Sequence, residues 1–140
     1  MTTIDFWALG PLRRVDRWVF LDDSGIDDNW LIAVEFGFAE GAVAVEAVPD
    51  DDTVSVHAAT GVLTHWAGES VRLAADHPAV GLGVRWAWLL TNHQGYMDGF
   101  QIEFAFDGAS IPLQFVAQAS RLVEFDVTER AAAQPTEDTD

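Results

Sequence analysis

Alternation of apolar and polar residues with a period of two runs through much of the chain and constrains its fold more than any other feature. This period is the side-chain spacing of a β-strand, in which successive side chains point to opposite faces. In WLIAVEFGF, one face would carry Trp30, Ile32, Val34, Phe36 and Phe38. AEG at 39–41 predicts a turn, and Val43 and Val45 predict a returning strand. A further strand is predicted at TVSVHA, after the acidic turn PDDD.

Four more runs of this kind occupy the second half of the chain, at 84–90, 100–106, 111–119 and 122–127. Their predicted inward side chains are Val84, Trp86, Trp88, Leu90, Phe100, Ile102, Phe104, Phe106, Ile111, Leu113, Phe115, Ala117, Val123, Phe125 and Val127. Short connections such as DGAS at 107–110 favour antiparallel neighbours, so these runs predict a meander.

Segments with a helical pattern are short. ESVRLAADH at 69–77 is predicted to form two turns that end before Pro78. IDFWALGPLRRV is predicted to hold another turn near the start of the chain, which Gly10 and Pro11 interrupt. We therefore expect a mainly β fold on the border of the α+β class. It would be a single antiparallel, strongly curved sheet of about six to seven strands with one or two short helices.

A length of 140 residues fits one domain with a substantial core. We expect a globular domain at 1–128 and an acidic, flexible C-terminal tail at 129–140. The sequence has no cysteine, which excludes disulfides and thiolate chemistry. Because it shows neither a signal-peptide pattern nor an apolar run of about 18 residues, we expect a soluble, cytoplasmic protein without membrane contact.

Acidic residues greatly outnumber basic ones, 23 against seven, and the formal net charge is −16. Such a field repels phosphate backbones, so nucleic-acid binding is not expected. Three interpretations stay open. The acidity can reflect a GC-rich or salt-adapted genome, an acidic surface that docks onto a basic protein as in an inhibitor or immunity protein, or imitation of nucleic acid.

Motifs for catalysis and for cofactors are weak. The histidines belong to no recognised metal pattern, and they are His57, His65, His77 and His93. The acidic turn at 50–52 offers oxygen ligands near His57 but lacks EF-hand spacing, so a solvated turn is the simpler interpretation. With neither a nucleophile elbow nor a phosphate-binding loop in the sequence, we expect no cofactor.

One polar segment, NHQGYMDG at 92–99, stands between two strand-like runs. It places two amides, an imidazole, a phenol and a carboxylate within seven residues, and these are Asn92, His93, Gln94, Tyr96 and Asp98. Its glycines permit positive φ or a close backbone approach. Either the segment is only a hairpin loop that Asn92 and Asp98 cap, or these five residues form a binding site.

Two long segments, VEFGFAEGAVAVEAVPDDDTVSV and VRWAWLLTNHQGYMDGFQIEFA, resemble an uncharacterised family of small bacterial proteins, a domain of unknown function. The family pattern includes N-x-Q-G-Y-x-D-G, which is matched here by Asn92, Gln94, Gly95, Tyr96, Asp98 and Gly99. The resemblance covers about residues 28–125. It implies a single compact domain and no assigned activity.

Two functional hypotheses follow from these observations. The favoured one is a non-enzymatic binding module whose acidic surface and 92–99 segment contact a basic protein partner. The alternative is a small metal-dependent hydrolase that uses His93 and Asp98, with or without His57.

Overall fold

The computed structural model describes residues 4–49, 51–58, 70–106, 108–118 and 120–126. Within these ranges, one 3-10 helix at Phe6–Leu9 precedes nine β-strands. The strands are β1 Leu12–Asp22, β2 Gly25–Phe38, β3 Gly41–Val48, β4 Thr53–Ala58, β5 Ser70–Ala75, β6 Gly83–Thr91, β7 Met97–Phe106, β8 Ala109–Gln118 and β9 Arg121–Asp126.

The strands form two antiparallel sheets rather than one. The first sheet has the order β4-β3-β2-β1-β5, and the second has the order β6-β7-β8-β9. The mainly β class, the β2–β3 hairpin and the four-stranded meander are confirmed. The single, strongly curved sheet is wrong because β5 pairs with β1 and ends the first sheet, after which the chain begins a second. Two sheets can bury their apolar faces against each other.

The predicted helix at 69–77 is also wrong. Residues Ser70–Ala75 form β5, in which Ala75 lies opposite Val15 of β1. Val71 and Leu73 alternate along this strand and pack against the core, so pairing with β1 overrides the local helix propensity. The expected turn near Gly10 is a 3-10 helix, and the described ranges contain no α-helix.

Phenylalanines from both sheets form the centre of the core. The ring centroid of Phe36 in β2 lies 5.8 Å from that of Phe104 in β7 and 6.0 Å from that of Phe115 in β8. All three side chains are fully buried. Their predicted inward orientation is confirmed, and apolar burial between the two layers holds the sheets face to face.

A β-bulge in β6 changes which of its side chains face the core. The register with β7 shifts between Val84 and Trp86, so Arg85 is an extra residue on this strand. Val84 is buried, whereas Trp86 and Trp88 are 47% and 41% exposed. The prediction that Trp86, Trp88 and Leu90 share the core face with Val84 is therefore wrong, because an inserted residue moves every later side chain to the opposite face.

A second bulge has the same effect in β2. The register with β1 shifts between Leu31 and Ala33, with Ile32 as the extra residue. Leu31 and Val34 belong to the main core, whereas Ile32 and Ala33 form a separate cluster with the partly buried Trp30. The predicted common face from Trp30 to Phe38 is therefore correct only from Val34 onward.

In β9, too, the face that packs against the core is opposite to the predicted one. Leu122 is buried in the core, while Val123 and Phe125, which were predicted to be inward, lie on the opposite face. Several predictions concern parts of the chain that the structure does not describe. They are Asp50 of the acidic turn, His65, Val127, the tail at 129–140 and the side chain of Phe106.

Replacing Phe36 tests this account of the core. Phe36→Ala is expected to lower the free energy of unfolding by about 3–5 kcal/mol, because it opens a cavity between the two sheets. Ile26→Ala is the control, since Ile26 is 52% exposed on the β1–β2 hairpin, and should cost less than about 1 kcal/mol. Urea denaturation followed by tryptophan fluorescence measures both values, and similar losses in the two variants would contradict this core.

Candidate functional site

The predicted site segment, 92–99, lies at the hairpin between β6 and β7. Asn92 closes this hairpin: its Oδ1 accepts hydrogen bonds from the backbone N–H groups of Gln94 and Tyr96 at 2.9 and 3.1 Å. The backbone N–H of Asn92 also donates to the Tyr96 carbonyl at 2.9 Å. Gly95 has φ +90°, a conformation that favours glycine. Asn92 thus caps the loop in the manner of an Asx-turn.

The other predicted site residues differ in how far they are exposed. The Nδ2 of Asn92 donates to Oδ2 of Asp98 at 3.3 Å, which ties the two ends of the loop together. His93, Gln94 and Tyr96 are exposed, and Tyr96 is 58% exposed. The structure therefore brings Asn92 and Asp98 together and leaves His93, Gln94 and Tyr96 accessible to solvent.

His57, the third candidate of the hydrolase hypothesis, lies on β4 and faces Glu46 of β3. Its Nε2 is 3.1 Å from Oε1 of Glu46, and its Nδ1 is 3.3 Å from the carbonyl oxygen of Ala58. In the described part of the chain, no group of three or more His, Asp or Glu side chains is arranged to hold a metal ion. The metal-dependent hydrolase thus gains no support from the described side chains.

Three carboxylates on the outer face of the first sheet are buried, which was not predicted from the sequence. Asp16, Glu35 and Glu46 are 6%, 1% and 0% exposed. Glu35 alternates with the core residues Val34 and Phe36, so its side chain points away from the second sheet. The sequence feature that indicates such a buried carboxylate is a charged residue inside an apolar strand, together with arginines in LRRVDRW that can compensate its charge.

Glu35 has partners for both of its carboxylate oxygens. Oε2 accepts a hydrogen bond from Nη2 of Arg14 at 2.7 Å. Oε1 accepts one from Nε1 of Trp18 at 3.3 Å and lies 3.7 Å from Nη2 of Arg72. Arg14 also pairs with Asp16. Because its charge is compensated and its oxygens are engaged, Glu35 is suited to holding the sheet together rather than to binding a metal ion.

Gly37 allows Arg14 to reach Glu35. It lies opposite Arg14 in the β1–β2 pair, and a Cβ atom at this position would stand 2.5 Å from both Cγ and Nε of Arg14. The arginine side chain thus lies flat across the glycine. A glycine inside a strand is otherwise unfavourable, which explains its use at this close approach.

Exposed aromatic side chains lie on β6, on the 3-10 helix beside it and in the hairpin that follows it, and we call Trp7, Trp86, Trp88 and Tyr96 the aromatic surface. Trp7 is 71% exposed and Trp86 is 47% exposed, and their ring centroids are 6.4 Å apart. Trp86 and Trp88 stack at 6.2 Å. Nε1 of Trp7 donates to the carbonyl of Arg85 at 3.2 Å, which fixes the 3-10 helix against the edge of β6. Tyr96 follows at the hairpin.

The fold and these surfaces define a two-sheet antiparallel β domain, and the chain belongs to DUF6334, a family of unknown function whose model matches residues 1–131. The predicted membership in a family of unknown function is confirmed, and the match extends beyond 28–125. No curated protein and no solved structure matches the chain significantly. In the described ranges, no helix has both the length and the apolar character that crossing a membrane requires.

Gly37→Ala tests the charged network. The added methyl group should displace Arg14 from Glu35 and lower the free energy of unfolding by about 1–3 kcal/mol. Gly83→Ala is the matched control, because a Cβ at Gly83 meets nothing within 4 Å, and should change stability by less than about 1 kcal/mol. Arg14→Ala combined with Gly37→Ala should cost less than the sum of the two single changes. Additive costs in urea denaturation would contradict the contact.

His57 has an environment that favours its protonated form. Both ring nitrogens face oxygen acceptors, and only the imidazolium has two N–H groups to donate. The hydrogen bond with Glu46 is the largest influence and raises the pKa of His57, against partial burial, which lowers it; the Ala58 carbonyl adds to the increase. Protonation of His57 therefore stabilises the fold most fully below its unfolded pKa of about 6.5.

A double-mutant cycle of His57→Gln and Glu46→Gln measures this pair. The coupling free energy is expected to be about 1 kcal/mol below about pH 6. It should decline as the pH rises through the raised pKa of folded His57, because the neutral ring loses one donor. Urea denaturation of the four proteins across this pH range gives the coupling. A coupling that is constant with pH or grows as the pH rises would contradict the assignment.

Proposed function

We propose that this protein is a non-enzymatic binding module that contacts a basic protein partner through the aromatic surface and the 92–99 loop. The observation that carries this proposal is the group of exposed aromatic side chains on a chain with a net charge of −16. Large exposed apolar areas on soluble domains are typical of interaction sites. Tryptophan and tyrosine are also the side chains that most often dominate binding energy at protein interfaces.

The arrangement of the aromatic surface supports a role in binding rather than in folding. Trp86 and Trp88 stack on each other on the outer face of the second sheet, away from the buried phenylalanines. Their register partners on β7 are Glu103 and Gln101, which are polar. Aromatic rings that stack with each other are held in place before binding, so little conformational entropy is lost when a partner covers them.

Acidic side chains border the aromatic surface and favour a basic partner. Glu103 lies opposite Trp86, Asp5 caps the 3-10 helix that carries Trp7, and Asp98 lies at the start of β7, next to the hairpin loop. Arg85 lies in the same area, and its Nη1 is 4.0 Å from Oε1 of Glu103, so these two charges partly offset each other and the carboxylates of Asp5 and Asp98 remain. The negative charge of the domain would attract a cationic surface over a distance. In the complex, that surface would contact carboxylates around an apolar centre.

Within this proposal, the predicted loop residues have two roles. Asn92 and Asp98 hold the shape of the loop, while His93, Gln94 and Tyr96 contact the partner. We further propose that N-x-Q-G-Y-x-D-G is a shared feature of this family, in which the glycine with positive φ and the capping asparagine preserve the loop. The mode of action would be that of an inhibitor or immunity protein in the cytoplasm.

Trp86→Ala and Tyr96→Ala test the surface directly. Affinity capture with the wild-type protein identifies a stoichiometric partner, and biolayer interferometry then measures the affinity of the purified partner. Each variant is expected to bind at least about tenfold more weakly, because it removes an aromatic anchor. Both should keep the wild-type melting temperature within a few degrees, since the two side chains are largely exposed.

Ile26→Ala is the control for this experiment, because it removes an exposed apolar side chain from the first sheet. It should leave the affinity unchanged. Equal affinity of wild type, Trp86→Ala and Tyr96→Ala would overturn the proposed surface, and so would a stoichiometric partner whose contact surface is acidic.

A further inference from the structure

A cavity of about 450 Å³ opens beside the aromatic surface, between the edges of the two sheets. Its main walls are Val54 and Val56 of β4, Trp88 and Leu89 of β6, and Met97 and Phe100 of β7. Phe6 of the 3-10 helix also lines it, with its ring centroid 6.1 Å from that of Phe100. Trp88 therefore belongs both to the aromatic surface and to the wall of this cavity.

The lining is suited to an apolar group. Apart from the hydroxyl group of Ser55 and the indole N–H of Trp88, the side chains that line the cavity in the described chain are apolar. The volume is large enough for an aromatic or branched aliphatic side chain. Sites for free small molecules usually add several placed polar groups that orient the ligand, and this lining has little of that kind. The cavity thus favours the apolar side chain of a polypeptide, because the polypeptide backbone can stay outside the cavity and hold the side chain in position.

Charge around the cavity indicates what kind of segment would carry that side chain. Asp5 stands between Ile4 and Phe6 in the chain, and both neighbours line the cavity. Asp98 follows Met97, another lining residue. No arginine of the described chain lines this cavity. Carboxylates around an apolar opening are complementary to a segment in which basic residues flank an apolar one.

We propose that this cavity receives one apolar side chain, of the size of leucine, phenylalanine or tryptophan, from an extended cationic segment of the protein partner. This inference rests on the proposed function and adds the chemistry that the partner must have. In the described residues, β4 and β6 are edge strands of their sheets, so an extended segment can lie along the opening. Because Trp88 belongs to both, the cavity and the aromatic surface are adjacent and one segment can contact both.

Short synthetic peptides test this inference. The probes are arginine-rich peptides of equal charge that differ only in a central phenylalanine or serine, and fluorescence polarisation measures their binding. Wild type should bind the phenylalanine peptide at least about tenfold more tightly, because burial in the cavity adds to the electrostatic attraction. No preference for phenylalanine would overturn the inference.

Two variants that occupy the cavity provide the second part of the test. Ala87→Leu fills it from the wall, and Leu89→Trp narrows it from an exposed position, so the second remains informative if the first fails to fold. Both should reduce the phenylalanine preference to less than about threefold while leaving binding of the serine peptide unchanged. A preference that survives in the folded variants would overturn the inference.

Binding of the purified partner separates this inference from the proposed function. Trp86 and Tyr96 do not line the cavity. Loss of the partner in Trp86→Ala and Tyr96→Ala but not in the cavity variants would overturn the cavity inference and leave the proposed function standing. If all four variants still bind the partner, both the proposed function and the cavity inference are overturned. Binding of the neutral dye Nile red that the phenylalanine peptide does not displace would indicate a small-molecule site and would overturn the inference.

Discussion

One extra residue in β6, Arg85, determines much of what this domain presents to its surroundings. Because side chains alternate strictly along a strand, the bulge turns Trp86 and Trp88 outward and places the small Ala87 on the inner face opposite Ile102. An alanine leaves space where the regular register would have put a tryptophan. The same shift thus accounts for the aromatic surface and for the adjacent cavity, so the two features are linked by backbone geometry rather than by chance.

The charged network fixes the first sheet in a comparable way. Arg14 of β1, Glu35 of β2 and Arg72 of β5 bring opposite charges together across three strands. If β2 slipped by one residue, Glu35 would point into the layer of phenylalanines, where an unpaired charge is strongly unfavourable. Its position opposite the arginines therefore opposes a shift of register. Gly37 belongs to the same arrangement, since it provides the space in which Arg14 lies.

Local alternation was enough to predict the strands of the meander, the β2–β3 hairpin and the inward orientation of Phe36 and Phe104. It could not predict the bulges, because VRWAWLL has a regular period of two and the extra residue is defined only by its partner strand. Nor could it predict the pairing of β5 with β1, which joins residues far apart in the chain. For the site, composition located the loop and its polar residues. The exposure of Trp86 and the contact of Arg14 with Glu35 depend on tertiary structure.

The role of each acidic residue depends more on its position in the fold than on the number of acidic residues in the chain. Genome composition can set how many carboxylates the chain has, but the fold gives them different roles. Asp16, Glu35 and Glu46 are buried beside cationic or potentially cationic side chains, and their charge is largely used inside the domain. Asp5, Asp98 and Glu103 instead border the aromatic surface. In the proposed complex, these outer carboxylates would mainly speed the approach of a basic partner, while the aromatic contacts would slow its release. An acidic chain without such exposed rings would attract many basic proteins and retain few of them.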